Sequence, residues 1–459
     1  LFLEMIIFAI RNQRKPYINS MKQIRLEHFR CYTDLSIDFK SGINLLIGDN
    51  ASGKTTVLKA CQYVLSSFFA GYSDENTRWT SPGDDDFTVQ IINGNIQPEQ
   101  PVKIYFVPDS NQYAATAMAD GDFIPGQKEE EYIIQKNSKK NNRALIGGIE
   151  NYRNYAKTIL SSNEALPVWC SFSTEDIHAN RNINASKFKE YAQKTSFGYY
   201  ECLNGDGFFR YWLKRLLILQ EGQKNLHEIE TVRTAIANAL GTNNKGCGII
   251  QDMHIRHNQG KVYYVFSDGR EVDADHLSDG YRRLVNIVTD IAFRCALLNG
   301  RLYGAESALL TKGTVLIDEI DMHLHPTLQA RVLQGLHNAF PMIQFIVTTH
   351  APMVMTSIEN NADNIVYQLN YENENYHIQE RQTYGMDAST ITDVILNQTP
   401  RAQEVDNLLG KLFDLIDSGS EEARTFLREM QARFGDKLPE LAEAEAMLDF
   451  SIVEDDEEN

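Results

Sequence analysis

Alternating apolar and polar positions open the readable part of the chain. KQIRLEHF at 22–29 has the period of a half-buried strand, and LSIDF at 35–39 repeats it after a short linker. Ile43–Ile47 is apolar and strand-like, and runs into a glycine-bearing loop and a helix-period stretch from Lys54 to Phe69. FTVQII at 87–92 and VKIYFV at 102–107 predict two more strands, parted by the turn-rich NGNIQPEQP. Residues 107–245 predict a mainly helical insertion, with helical stretches at 149–163, 186–194, 207–222 and 226–240. A hairpin follows over 252–273, with turns at Asn258-Gln259-Gly260 and Ser267-Asp268-Gly269. DHLSDGYRRL at 275–284 then opens a long helix to about Leu298. GTVLIDEI at 313–320 is a buried strand, LQARVLQGLHNAF at 328–340 a helix, and IQFIVTTH at 343–350 another strand. Strand and helix alternate here, which predicts a mostly parallel sheet.

The last 60 residues have a different pattern. Val405, Leu408, Leu409, Leu412, Phe413 and Ile416 lie on one face of a helix, and helices at 421–434 and 438–450 follow, with Gly419 and Gly435 as stops. The closing EDDEEN predicts a solvated, unstructured tail. The chain therefore divides into an extension at 1–20, an N-terminal core part at 21–106, the insertion at 107–245, a second core part at 246–378 and a helical region at 379–459. LFLEMIIFAI at the start is apolar but interrupted by Glu4 and followed, not preceded, by basic residues, so it reads as neither a signal peptide nor a membrane span. Met21 is the expected start of the globular part.

Composition narrows the partners. A formal net charge of −18 over 459 residues does not attract nucleic acid as a whole, so such contact needs a local basic patch. The modest basic clusters are Lys136–Arg143 and Arg210, Lys214, Arg215, and solvated surface is the favoured reading of both. The six cysteines are scattered with no C-x-x-C pair, which points to a reducing cytoplasm rather than to disulfides or a zinc site.

Chemistry gathers at four places. Gly48-Asp49-Asn50-Ala51-Ser52-Gly53-Lys54-Thr55 fits G-x-x-x-x-G-K-[ST] between a strand and a helix. Glycines let backbone N–H groups curl round a phosphate and the helix start adds partial positive charge; Lys54 reaches β- and γ-phosphates and Thr55 ligates Mg²⁺. Asn50, Ser52, Gly53 and Thr56 complete the expected ATP-binding set. Val315–Glu319 is an apolar strand ending in two acids, with Asp318 expected in the Mg²⁺ shell and Glu319 expected to orient or deprotonate the attacking water. His350 ends the next strand, where a neutral imidazole can sense a γ-phosphate. Alone it would read as a packed strand-end histidine; its place after the next strand favours function. His323, His325, His254 and His257 are read as structural, and no metal is assigned to them. Ser278 has two readings: a helix N-cap, contributing about 1 kcal/mol, or an anion contact.

Taken together, Gly48–Thr55, Leu277–Tyr281, Val315–Glu319, Asp321 and His350 resemble the motifs of ABC-type ATPases. EHFRCYTDLSIDF resembles the opening of their RecF, SMC and OLD-like branch. LSDGYRRLVNIVTDIAFR, LIDEIDMHLHP and TTHAPMV resemble stand-alone ATPases of bacterial defence loci, and the ending from Thr390 to Phe450 resembles the tail of Septu-type (PtuA) ATPases. The resemblance implies an α/β fold: an ABC-type core with a mostly parallel sheet, an antiparallel β lobe, the helical insertion and a C-terminal helical subdomain. It implies ATP and Mg²⁺ as cofactors, Lys54, Glu319 and His350 as the catalytic set, and Ser278, Asp279 and Gly280 as contacts to the γ-phosphate held by a different subunit. Two copies would then clamp two nucleotides head to tail. It also implies antiphage defence with an HNH endonuclease partner, alone or beside a retron, with nucleic acid met through the partner and no membrane. Asp279 stands where the family has glycine and Tyr281 where it has glutamine, which implies slow turnover, with Arg282 or Mg²⁺ offsetting the acid. Gln90 is the candidate for the glutamine loop, though a solvent-facing strand residue is its more ordinary identity. The competing reading is a DNA-repair clamp of the RecF or SMC kind.

Overall fold

A computed structural model of the chain describes residues 20–457, apart from 75, 90, 93–94, 97–99, 109–130, 140–143, 148–152, 155, 158, 160–163, 175–193, 205–207, 224, 242–246, 373–374, 399–400 and 421. The expectations for residues 1–19, for residues 186–193 of helix 186–194, and for Gln90, Lys140 and Arg143 fall outside these residues. The chain divides into two compact units between Ala388 and Ser389.

The first unit opens with β1 (Met21–Phe29) and β2 (Tyr32–Asp38), then β3 (Ile43–Ile47) and helix α1 (Lys54–Ser66). Strands β4 (Val102–Pro108), β5 (Tyr132–Lys136), β6 (Leu145–Gly147) and β7 (Val168–Phe172) follow. Helices α2 (Phe209–Gly222) and α3 (Leu226–Leu240) precede the meander β8 (Ile250–Arg256), β9 (Lys261–Phe266) and β10 (Glu271–Asp273). Helix α4 (Asp279–Tyr303), β11 (Gly313–Ile317), α5 (Val332–Ala339), β12 (Ile343–Thr348), β13 (Ile365–Glu372) and β14 (Asn375–Glu380) complete it.

The central sheet has the order β14-β13-β3-β12-β11-β7. Its members run parallel except β14, which is antiparallel to β13. Every residue of β3, β11 and β12 is buried, as parallel strands covered on both faces must be. An antiparallel lobe of order β2-β1-β4-β5-β6 stands beside it. Gln344 on β12 joins the two: its Oε1 accepts from Met21 N at 3.0 Å and its Nε2 donates to Met21 O at 2.8 Å. The expected α/β architecture, mostly parallel sheet and antiparallel lobe are all present.

Among the described residues of 107–245, strands stand beside the expected helices. Helices α2 and α3 lie within them, but β5 and β6 extend the antiparallel lobe and β7 is an edge of the central sheet. VWCSF at 168–172 is a short run with Ser171 as its one polar residue, and periodicity cannot tell such a run from a buried helical turn; only pairing with β11 decides.

The second unit is built on α6 (Gln403–Asp417), α7 (Glu422–Phe434) and α8 (Pro439–Glu457). Leu409, Leu412, Leu427, Met430, Leu441 and Ala444 form its own small core. Helix α8 continues to Glu457, through most of the tail expected to be unstructured.

Candidate functional site

The loop between β3 and α1 owes its path to two glycines. Gly48 has φ 140° and Gly53 φ 93°, conformations that side-chain-bearing residues rarely adopt. Space is denied as well: a Cβ on Gly48 would lie 2.2 Å from the Leu369 carbonyl oxygen, and one on Gly53 2.1 Å from the Tyr32 hydroxyl. Helix α1 begins without a side-chain cap and with no acid in its first turn, so its leading N–H groups and partial positive charge face the loop. Lys54 is 5% exposed, and its ammonium donates to Gly48 O at 2.8 Å, Asp49 O at 2.7 Å and Ser52 Oγ at 3.3 Å. Burial pushes its pKa down to about 8, against the opposing pull of Asp318, Glu319, Asp49 and Asp321. Asn50 is exposed, and the Cys31 thiol reaches Thr56 Oγ1 at 3.8 Å.

The ends of β11 and β12 meet this loop at the carboxyl edge of the sheet, the place where open α/β sheets bind ligands. The Thr55 hydroxyl donates to Asp318 Oδ2 at 3.0 Å. The Thr348 hydroxyl donates to Asp318 Oδ1 at 2.6 Å and accepts from Glu319 N at 2.8 Å. Thr349 donates to Asp321 Oδ1 at 2.5 Å. Glu319 sits at φ 46°, a strained conformation for a glutamate and of the kind that clusters at functional sites. Its carboxylate, half exposed, is 4.0 Å from His350 Nε2. Burial, then the Lys54 charge, holds the His350 imidazole below its ordinary pKa, so the ring is neutral at neutral pH. Lys54, Thr55, Asp318, Glu319 and His350 thus converge from three separate elements.

The start of α4 separates the two readings of Ser278. Ser278 occupies the N-cap position, yet its hydroxyl makes no capping hydrogen bond and the residue is exposed. Gly280 is buried because the loop after β11 lies on it: a Cβ there would stand 2.3 Å from the His323 carbonyl oxygen. Asp279 is offset by Arg282 at 3.8 Å, and Tyr281 packs edge-on against Phe266, 5.3 Å between centroids. Among the described residues no hydrogen bond or ion pair joins 278–280 to the Gly48–Thr55 loop of the same chain.

Other contributors were not singled out in the sequence. Thr348 and Thr349 were, beforehand, only the two polar residues ahead of His350 in TTH. Arg283 donates to the Asp318 carbonyl at 2.6 Å, tying α4 to β11. Arg294, 2% exposed, pairs with Asp290 at 2.6 Å and also donates to Gly198 O and Tyr200 O. The available signal was that Arg283 and Arg294 each stand beside apolar residues of α4, Leu284 and Phe293. No group of three or more histidine, cysteine or acidic residues suited to hold a metal occurs among the described residues.

A family described as "AAA domain, putative AbiEii toxin, Type IV TA system" matches residues 43–356, from β3 to just past His350. The chain belongs to this family. The chain is similar to the "Retron Vc95 probable ATPase" of Vibrio cholerae serotype O1 biovar El Tor, 36% identical over 163 residues, 35% of this chain and 31% of that protein. It is similar to the "Retron Ec83 probable ATPase" of Escherichia coli, 33% identical over 39% of this chain and 33% of that one. The matched part spans about a third of the length of these two relatives. The "Septu protein PtuA" of Bacillus thuringiensis is 20% identical over 76% of this chain and 78% of its own length. The resemblance to Septu-type defence ATPases holds in these relatives. Among solved structures, the SMC head domain from Thermotoga maritima aligns with 79% of this chain and 99% of its own, at 14% identity and a TM-score of 0.42. No described helix is long and apolar enough to cross a membrane.

Proposed function

We propose that this family member binds Mg-ATP in the Gly48–Thr55 cradle, hydrolyses it slowly, and closes on a second copy of itself through the nucleotide. The convergence of Lys54, Thr55, Asp318, Glu319 and His350 on one sheet edge carries the reading. Lys54 neutralises the β- and γ-phosphates. Glu319 takes the proton of the attacking water, and neutral His350 donates a hydrogen bond to the γ-phosphate. Thr55 and Asp318 suit Mg²⁺, which accepts hard oxygens from one or two side chains and completes its shell with phosphate and water. Bound there, the ion would offset charge on the phosphate oxygens.

The second half of the reading concerns Ser278. An exposed hydroxyl at a helix start, with no capping bond of its own, is available to a γ-phosphate presented by another copy. Cradle and Ser278 lie on one chain, so two chains related by a two-fold axis complete two sites at once. The retron and Septu names of the relatives favour a role in antiphage defence, in the cytoplasm, where the ATPase scaffolds or regulates an HNH endonuclease and nucleic acid is met through that partner. The DNA-repair-clamp alternative needs a free basic face. Arg215 is instead spent on Glu228 at 2.7 Å and Lys136 on Asp84 at 2.9 Å.

The experiment is light scattering on a Glu319→Gln chain, which holds ATP without turning it over. Mass should double on adding Mg-ATP, and Ser278→Ala in that background should keep it at its nucleotide-free value while ATP still binds. A doubling that survives Ser278→Ala refutes the trans contact.

A further inference from the structure

The inference rests on the reading of Gly48–Thr55 as a triphosphate cradle and deepens it. We propose that Tyr371, at the end of β13, stacks on the base of the bound nucleotide, with Tyr376 and Tyr32 as its support.

The γ-phosphate end of the cradle is marked by Asp318, Glu319 and His350. The α-phosphate, ribose and base must therefore leave on the other side, past Thr56. Cys31 lies there, its thiol 3.8 Å from Thr56 Oγ1 and beside the Tyr376 hydroxyl. Three tyrosine rings run outward from this point. Tyr32 is buried, donates its hydroxyl to Ser52 O at 3.3 Å, and fills the space beside Gly53. Tyr376 packs edge-on against Tyr32 with centroids 5.1 Å apart. Tyr371 faces Tyr376 across the β13–β14 pairing, at 4.7 Å. The last ring is 57% exposed, and its hydroxyl has no hydrogen bond among the described residues.

The hairpin is registered to the cradle. Strand β13 pairs with β3, and the Leu369 carbonyl lies where a Cβ of Gly48 would be. An exposed aromatic ring, braced from behind and fixed relative to the phosphate loop, is the arrangement that stacks a base. Every base offers a π-face, so the class of ligand is a nucleoside triphosphate recognised by ring area rather than by hydrogen-bond pattern.

The test measures calorimetric affinity of the full chain for ATP and, separately, for inorganic triphosphate, which has no base. Tyr371→Ala should weaken ATP about tenfold and leave triphosphate unchanged, while Tyr371→Phe keeps ATP within about twofold of the parent. Unchanged ATP affinity in Tyr371→Ala, or equal loss for both ligands, overturns the proposal. Lys54→Ala reports on the cradle alone: it should weaken both ligands, and if it weakens neither, the cradle reading fails whatever Tyr371 does.

Discussion

At the scale of single residues, Lys54 shows how burial prepares a binding group. With a pKa of about 8 instead of 10.5, its ammonium begins to lose its proton just above neutrality. In the proposed cradle, cationic Lys54 is the form that binds phosphate. ATP affinity should therefore fall about tenfold between pH 7 and pH 9, the drop expected for a group titrating near 8. Stability of the nucleotide-free chain should move the other way. Between pH 8 and 10.5 the unfolded chain holds more protons at this lysine than the folded one, so unfolding becomes harder as pH rises. Calorimetric titration and thermal melts over the same pH series check both signs, and affinity that is flat to pH 9 would show a normal lysine. Lys54, Thr55, Asp318, Glu319 and His350 were legible because residue types at fixed offsets announce them. Thr348 was not, because its role depends on β12 lying next to β11.

At the scale of elements, the start of α4 couples local conformation to packing. Ser278 caps nothing, so Ser278→Ala should shift stability by less than about 0.5 kcal/mol, not the ~1 kcal/mol of a working N-cap. Gly280 is the contrary case. A methyl there meets backbone at His323, so Gly280→Ala should cost about 2 kcal/mol through overpacking and should slow hydrolysis by displacing the loop after Glu319. Denaturant melts of the two variants side by side test the contrast; equal losses would mean that Ser278 is an ordinary cap. Strand β7 makes a related point. Its apolar run was visible, but its assignment to the edge of the central sheet came only from pairing with β11.

At the scale of the whole molecule, the two units make separable predictions. The unit from Ser389 carries its own apolar cluster of Leu409, Leu412, Leu427, Met430, Leu441 and Ala444. Deleting residues 401–459 should therefore leave ATP affinity within about threefold of the parent, since no cradle residue is removed; under the proposal that the HNH endonuclease docks on these helices, it should also abolish co-purification of that partner. Affinity measurement together with mass spectrometry of what co-purifies decides it, and nuclease retained by the truncated chain would remove the docking role from these helices.

The sequence by itself determined the glycine-bearing loop before α1, the paired acids after β11, the histidine after β12 and the amphipathic helices of the C-terminal region. Each is written in neighbouring residues: glycines at fixed spacing, an apolar run ending in charge, a helical stripe. The tertiary structure alone decided the convergence of the sheet edge, the hydrogen bonds of Thr348 and Arg283, the tyrosine row beside Thr56 and the freedom of the Ser278 hydroxyl. Each depends on residues up to some 340 positions apart, such as Tyr32 and Tyr376, and no local pattern carries the contact between them.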